Sequence, residues 1–186
     1  LNYGYKTSVS KLMVNHLKEK ISKLNKFSIF KKGSKILDIG SNDGNLLSNF
    51  HGKHRVLGVT PELIGKLAIK RGINTIIKYF DDATTNYILK KYGKARLITA
   101  TNVFAHIDNI NQIVKNVLRT LDNDGIFITE SHYLLPLIKT VQYDTIYHEH
   151  LRYYSIQSLN YLFKKHNLEI IHTKEISTHG GSIRVY

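Results

Sequence analysis

Two tyrosines, two histidines and two carboxylates fall within the eight residues from Tyr143 to His150. They are Tyr143, Asp144, Tyr147, His148, Glu149 and His150. No amphipathic period accounts for them. Titratable groups withdrawn from water cost free energy unless they are paired or used. A histidine that titrates near neutrality, set among hydroxyl donors, is what removal of a carbon-bound proton requires. It supplies a base, and its neighbours can hold the oxyanion that forms. Upstream, Asp38, Gly40 and Gly44 space a loop that suits a nucleotide cofactor. Together the two segments point to an enzyme that makes a carbon acid react.

The upstream loop leaves a run of buried character, Ile36 to Ile39, and leads into a helix. Gly40 allows a tight turn, and Gly44 lets the helix approach the sheet. Asp38 lies inside the strand, where an ordinary turn has no need of an acid. The second strand should end in a carboxylate that takes both ribose hydroxyls, about 20 residues after the loop. Thr60 stands there instead, followed by Pro61 and Glu62. A hydroxyl makes one hydrogen bond and not a bidentate, charge-assisted pair. Either Glu62 reaches back, or the cofactor is held more weakly than usual. Asn102 and His106 follow the fourth strand, whose end lies beside the first loop in a doubly wound sheet, so both should face the same crevice. The alternative is Asn102 as a turn residue and His106 as a cap or core histidine.

Tyr147, His148, Glu149 and His150 admit three readings. His148 and His150 share a face if the segment is extended, and with His106 or Glu149 they could ligate zinc. They could be incidental residues of a solvated loop. Acid–base work is preferred, and no metal is expected, because a metal site needs a complete ligand set.

The elements that must position these residues follow from periodicity. Residues 8–26 carry Val9, Leu12, Met13, Leu17, Ile21 and Leu24 at helical spacing, with Ser8 as N-cap. Strands are expected at 35–39, 55–59, 74–77, 97–101 and 126–129. Helices are expected from Pro61 to near Gly72, over 84–92, from Ile110 through Leu121, and from Ser155 to Asn167. The segment 131–154 reads as irregular. Two last strands, about 168–174 and 182–186, flank Gly180 and Gly181 with no helix between them. Alternating strands and helices argue a parallel sheet covered on both faces, ending in an antiparallel edge hairpin.

The chain has 186 residues, 27 Lys+Arg against 14 Asp+Glu, a net charge of +13 and no cysteine. Disulfides and thiolate zinc sites are excluded. The lysines are scattered over the expected helices rather than striped among exposed aromatics, so an anionic small molecule is favoured over nucleic acid. No apolar run is long enough to span a bilayer, and no signal peptide is visible. A cytoplasmic location without membrane association is therefore expected. Because the chain begins at Leu1, it reads as a piece of a longer protein, with a helical N-terminal segment at 1–34 and a single domain at 35–186.

Four motifs resemble one family in their order and residues: Ile39 to Gly44, Asn102 to His106, Tyr143 to His150, and His179 to Arg184. Tyr3 to Ser8 is similar to that family's lead into the domain. The family is the S-adenosylmethionine-dependent C-methyltransferases of nucleotide-linked deoxysugars, and the resemblance covers nearly the whole chain. It implies an α/β class I methyltransferase, Rossmann-like fold, with a seven-stranded, mostly parallel sheet. It implies the central part of a three-part enzyme that has a cysteine-rich zinc domain before it and an α/β domain after it. His150 is then the base, and Tyr147, Glu149 and His106 surround the reacting carbon and its carbonyl. S-adenosylmethionine would be held by Asp38, Gly40, Asn42, Asp43 and Gly44 of the first loop, with Thr60, Glu62, Phe80 and Asn102. The chemistry agrees: a saturated sugar carbon is no nucleophile until an adjacent carbonyl makes its proton removable by a positioned base. Two alternatives remain. One is methylation of oxygen or nitrogen on a sugar or other small molecule. The other is a non-catalytic module that binds a cofactor or nucleic acid.

Overall fold

A computed structural model describes residues 32–177 and 180–186. The expected helix over 8–26 with its Ser8 cap, the Tyr3 to Ser8 motif and His179 lie outside the described residues.

The strands form where β-branched and leucine side chains alternate between two apolar faces. They are β1 (Lys35–Ile39), β2 (Arg55–Thr60), β3 (Thr75–Ile77), β4 (Ala95–Thr101), β5 (Leu121–His132), β6 (Thr173–Ile176) and β7 (Ser182–Val185). They make one seven-stranded sheet in the order β3-β2-β1-β4-β5-β7-β6. The first five strands run parallel, β7 pairs antiparallel with β5, and β6 pairs antiparallel with β7. This is the expected class I arrangement with its edge hairpin.

Because successive side chains of a strand point to opposite faces, each strand feeds two cores. Leu37, Ile39, Leu57, Val59, Ile98 and Ala100 pack on one face with Val114, Val117, Leu159 and Phe163. Those partners lie on α4 (Ile110–Thr120) and α6 (Ile156–Lys164). Ile36, Val56, Leu97 and Ile128 pack on the other face with Leu46, Leu47 and Ala68, from α1 (Asn45–Ser48) and α2 (Gly65–Lys70). Helix α3 (Asp82–Lys91) starts on Asp81, whose carboxylate accepts from the Thr84 N–H at 2.8 Å. Ser155 caps α6 in a reciprocal box with Ser158.

Several boundaries differ from the sequence reading. Pro61 does not open a helix, because residues 62–67 first wind in tighter turns, Gly65 N–H to Glu62 O and Leu67 N–H to Ile64 O. Strand β5 begins at Leu121 rather than 126, because Leu121 pairs with Ala95 before the ladder shifts register at Ala95/Leu97. Strand β6 starts at Thr173 rather than 168. Leu168 and Ile170 pack against the core without joining the ladder. The segment 131–154 is more ordered than expected. It extends β5 to His132 and holds a short helix, α5 (Leu134–Lys139), and a 3₁₀ turn at Tyr143–Thr145. No helix among the described residues is long and apolar enough to cross a membrane.

One ion pair lies inside the sheet. Arg184 Nε of β7 donates to Glu130 Oε2 of β5 at 2.8 Å, and the two side chains are 3% and 0% exposed. Removing one partner of such a pair strands a buried charge. Arg184→Met is expected to lower unfolding free energy by about 3–5 kcal/mol in urea denaturation. A change no larger than the ~0.5 kcal/mol of an ordinary surface substitution would contradict this.

Candidate active site

The first loop is folded back onto β2. Gly40 and Ser41 both donate their N–H groups to Val59 O, at 2.8 and 3.1 Å. Gly40 has φ +72°, and a Cβ there would strike Val103 Cγ2. The glycine is thus required by the close approach of the loop after β4. Gly44 has φ +77°, and a Cβ there would lie 2.8 Å from Ala68 Cβ and 2.9 Å from Ile73 Cδ1. So it makes room for α2. Asp38 is buried and accepts from Thr99 Oγ1 at 2.5 Å. Asn42, at φ +50°, accepts the Asp43 N–H at 2.9 Å. Asp43 is fully buried, 3.7 Å from Arg71 Nη1.

The other residues expected on the cofactor side are distributed around this loop. Thr60 is buried at the end of β2, and its hydroxyl accepts the Glu62 N–H at 3.4 Å. Glu62 is half-buried. Phe80 is 4% exposed and belongs to the main core with Leu57 and Val59. Asn102 turns the chain out of β4 with φ +55°, donating its N–H to Glu130 O at 2.8 Å. Its side-chain Oδ1 is buried and meets no hydrogen-bond donor among the described residues.

Residues 102–106 connect this loop to the histidines. Val103 packs on Gly40, and His106 closes the 3₁₀ turn Phe104–His106. The His106 and His150 ring centroids are 5.0 Å apart. His106 Nδ1 lies 2.9 Å from the main-chain oxygen of Glu149. A carbonyl only accepts, so Nδ1 carries the proton. Glu149 therefore orients His106 through its backbone oxygen. Leu151 N–H donates to Ala105 O at 2.8 Å, and Arg152 donates to the carbonyls of Ile107 and Asp108 at 2.7 and 3.0 Å.

His150 is the centre of the cluster. Its Nδ1 donates to Thr145 O at 3.1 Å, which puts the lone pair on Nε2. Nε2 lies 3.2 Å from the Tyr147 hydroxyl. Four rings surround it: Tyr147 at 4.4 Å, His106 and His132 at 5.0 Å each, and Tyr153 at 5.8 Å. Tyr153 also donates its hydroxyl to Thr145 O at 2.9 Å. His148 is exposed, and its ring meets that of Tyr147 edge-on. Among the described residues, no group of three His, Cys, Asp or Glu is arranged to hold a metal ion.

Burial pushes the Tyr147 phenol above its ordinary pKa, and the Glu149 carboxylate and Tyr153 push it the same way. Tyr147 thus stays protonated and donating through neutral pH. His132 and Tyr153 were missed in the sequence because 131–154 reads as irregular. The signal was a histidine at the carboxyl end of β5, the edge where such sheets bind ligands.

A doubly wound sheet of this order, with a glycine loop after β1 and polar residues at its carboxyl edge, defines a class I methyltransferase. The chain belongs to the methyltransferase domain family, which it matches over residues 13–173. It is 34% identical over 187 aligned positions to the C-methyltransferase NovU of Streptomyces niveus, covering 100% of this chain and 44% of that protein. The chain thus spans less than half the length of that relative. A magnesium protoporphyrin IX methyltransferase of Synechocystis, solved with bound SAH, superposes with a TM-score of 0.69 at 12% identity, covering 92% of this chain and 81% of that one. A SAM-dependent methyltransferase of Archaeoglobus fulgidus gives 0.69 at 12% identity, covering 94% and 93%. These two likenesses speak for the fold. The chain is thus a methyltransferase domain, and S-adenosylmethionine is the cofactor that this membership implies.

A carboxylate beside a phenol opposes phenolate formation, so Glu149→Gln should lower the Tyr147 pKa. Burial, the larger cause, should keep it above an ordinary tyrosine. Site-specific ¹³C labelling of Tyr147 with NMR titration measures both, and an unmoved or raised midpoint in the variant would contradict the assigned cause.

Proposed function

We propose that this domain is a C-methyltransferase acting on a nucleotide-linked keto-deoxysugar. The observation that carries the reading is His150. Its Nδ1–H is fixed on Thr145 O, its Nε2 lone pair faces Tyr147, and His106 lies against its ring. Methylation of an oxygen or nitrogen needs removal of one polar proton and does not call for such a cluster. The 34% identity to a C-methyltransferase supports the same choice. The net charge of +13 suits the pyrophosphate of a sugar nucleotide. In this reading residues 35–186 are the methyltransferase domain of a longer protein and 1–34 lead into it.

The residues present fit the implied cofactor. Asn102 Oδ1 is a buried acceptor without a donor, and a buried acceptor left unpaired is costly. Ammonium and ribose hydroxyl groups of S-adenosylmethionine are suitable donors. Gly40, Asn42 and Gly44 shape the loop, Asp38 braces β1 against β4, and Thr60 and Glu62 stand where ribose contacts are made. Asp43 acts through Arg71 and Phe80 through core packing. When bound, the cofactor supplies an electrophilic methyl group.

The protein's part is to prepare the carbon. His150 Nε2 takes the proton from the carbon beside the substrate's carbonyl, and the positive charge is shared with Nδ1–H on Thr145 O. Tyr147 turns its O–H from Nε2 to the substrate oxygen as negative charge grows there. His106, held by Glu149 O, presents its other ring edge to the same region.

Replacing His150 by Asn keeps the approximate shape but removes basicity. It should slow exchange of the substrate's carbon-bound hydrogen with deuterated water by about 10²–10⁴, with cofactor affinity unchanged. Exchange at the wild-type rate would show that another residue is the base. Asn102→Ala should weaken S-adenosylmethionine binding in calorimetry by roughly 1–3 kcal/mol; equal affinity in a folded variant would remove Asn102 from the cofactor site.

A further inference from the structure

We infer that His132 is a further substrate-facing residue, a neutral imidazole that donates to the carbonyl oxygen on which charge develops as His150 takes the proton. This rests on the reading of the site as a carbon-methylating centre.

His132 is the last residue of β5, at the carboxyl edge of the sheet. Its ring lies 5.0 Å from that of His150, tilted by 56°, the counterpart of His106 at 5.0 Å and 58°. The base is therefore in contact with two other imidazoles. His106 is positioned by Glu149 O and His150 by Thr145 O, both within loops. His132 is mounted on the sheet itself. It stands opposite Ser182 in the β5–β7 ladder, and the next residue, the buried Tyr133, donates its N–H to Gly181 O at 3.1 Å. A histidine that only filled space there would be enclosed, yet His132 is half-exposed between the buried Ser131 and Tyr133. The two His150 nitrogens meet Thr145 O and the Tyr147 hydroxyl.

Charge decides the form in which His132 works. Two imidazolium ions in ring contact repel, so a cationic His132 would oppose proton transfer to His150. A neutral ring carries no such penalty and still offers one N–H donor. A neutral imidazole that polarises a carbonyl is an established catalytic device. The step balances: the C–H bond breaks, the proton goes to His150 Nε2, the electron pair moves into the enolate, and His132 donates a hydrogen bond without losing its proton.

The test uses the full-length protein and a thymidine-diphosphate keto-deoxysugar as probe, with His132→Leu and His132→Gln. Loss of one oxyanion donor typically costs about 10²–10³ in rate, so His132→Leu should slow hydrogen–deuterium exchange and kcat by that factor. His132→Gln keeps an N–H donor and should recover roughly tenfold of the loss. Affinity for S-adenosylmethionine and the melting temperature should match wild type in both. Wild-type exchange in His132→Leu overturns the inference. So do equal losses in both variants accompanied by lower melting temperature or weaker cofactor binding, which would mark a structural role. If His150→Asn abolishes exchange while His132→Leu does not alter it, the inference fails and the reading of the site stands. If wild-type protein neither exchanges nor methylates the probe, both fall.

Discussion

The site depends on the lacing of one loop to another. The chain from Glu149 to Tyr154 is held against residues 104–108 almost entirely through main-chain acceptors. His106 Nδ1 donates to Glu149 O, Leu151 N–H to Ala105 O, Arg152 to Ile107 O and Asp108 O, and the Tyr154 hydroxyl to Phe104 O. Each such bond adds only about 1 kcal/mol net. Their effect is geometric, since together they leave His150 one place to sit. The anchor beneath is apolar: Phe104 is in ring contact with Tyr154, Phe127 and Phe163, and Phe127 with Phe163, under the lacing. The histidines thus rest on the core rather than on a free loop.

The same segment connects the proposed base to the proposed cofactor loop. Residues 102–106 touch the Gly40 loop through Val103 and His150 through His106. Asn42 and Asn102 both adopt positive φ, which asparagine tolerates better than most residues. Asn102 is held in that conformation by Glu130 O, and Glu130 is itself locked to Arg184. A buried ion pair between β5 and β7 therefore stands directly behind the turn that carries the unpaired Asn102 oxygen. The antiparallel edge hairpin braces the active-site turn as well as finishing the sheet.

The sheet was legible in the sequence because its strands are short runs of Ile, Leu and Val with a plain period. Gly40 was legible as a necessity, though the reason, contact with Val103, is a tertiary fact. An element was missed where it is too short to show a period: α5 has six residues. The far end of β5, Glu130 to His132, is polar throughout and does not read as strand; its pairing with β7 makes it one. That is why His132 escaped notice. Glu149 was singled out for its carboxylate, whereas its backbone oxygen makes the contact, and no side-chain pattern encodes that. Thr60 was legible as a departure from the usual acid, and it is buried beside Gly65.

The central claim is that this methyltransferase makes a carbon nucleophilic. Its most direct test is the bond that the transferred methyl forms. Full-length protein would be supplied with S-adenosylmethionine labelled with ¹³C in the methyl group and a nucleotide-linked keto-deoxysugar, and the product examined by carbon–proton correlation NMR. The account predicts a labelled methyl bonded to a sugar carbon adjacent to the carbonyl. A labelled methyl on oxygen or nitrogen would contradict it.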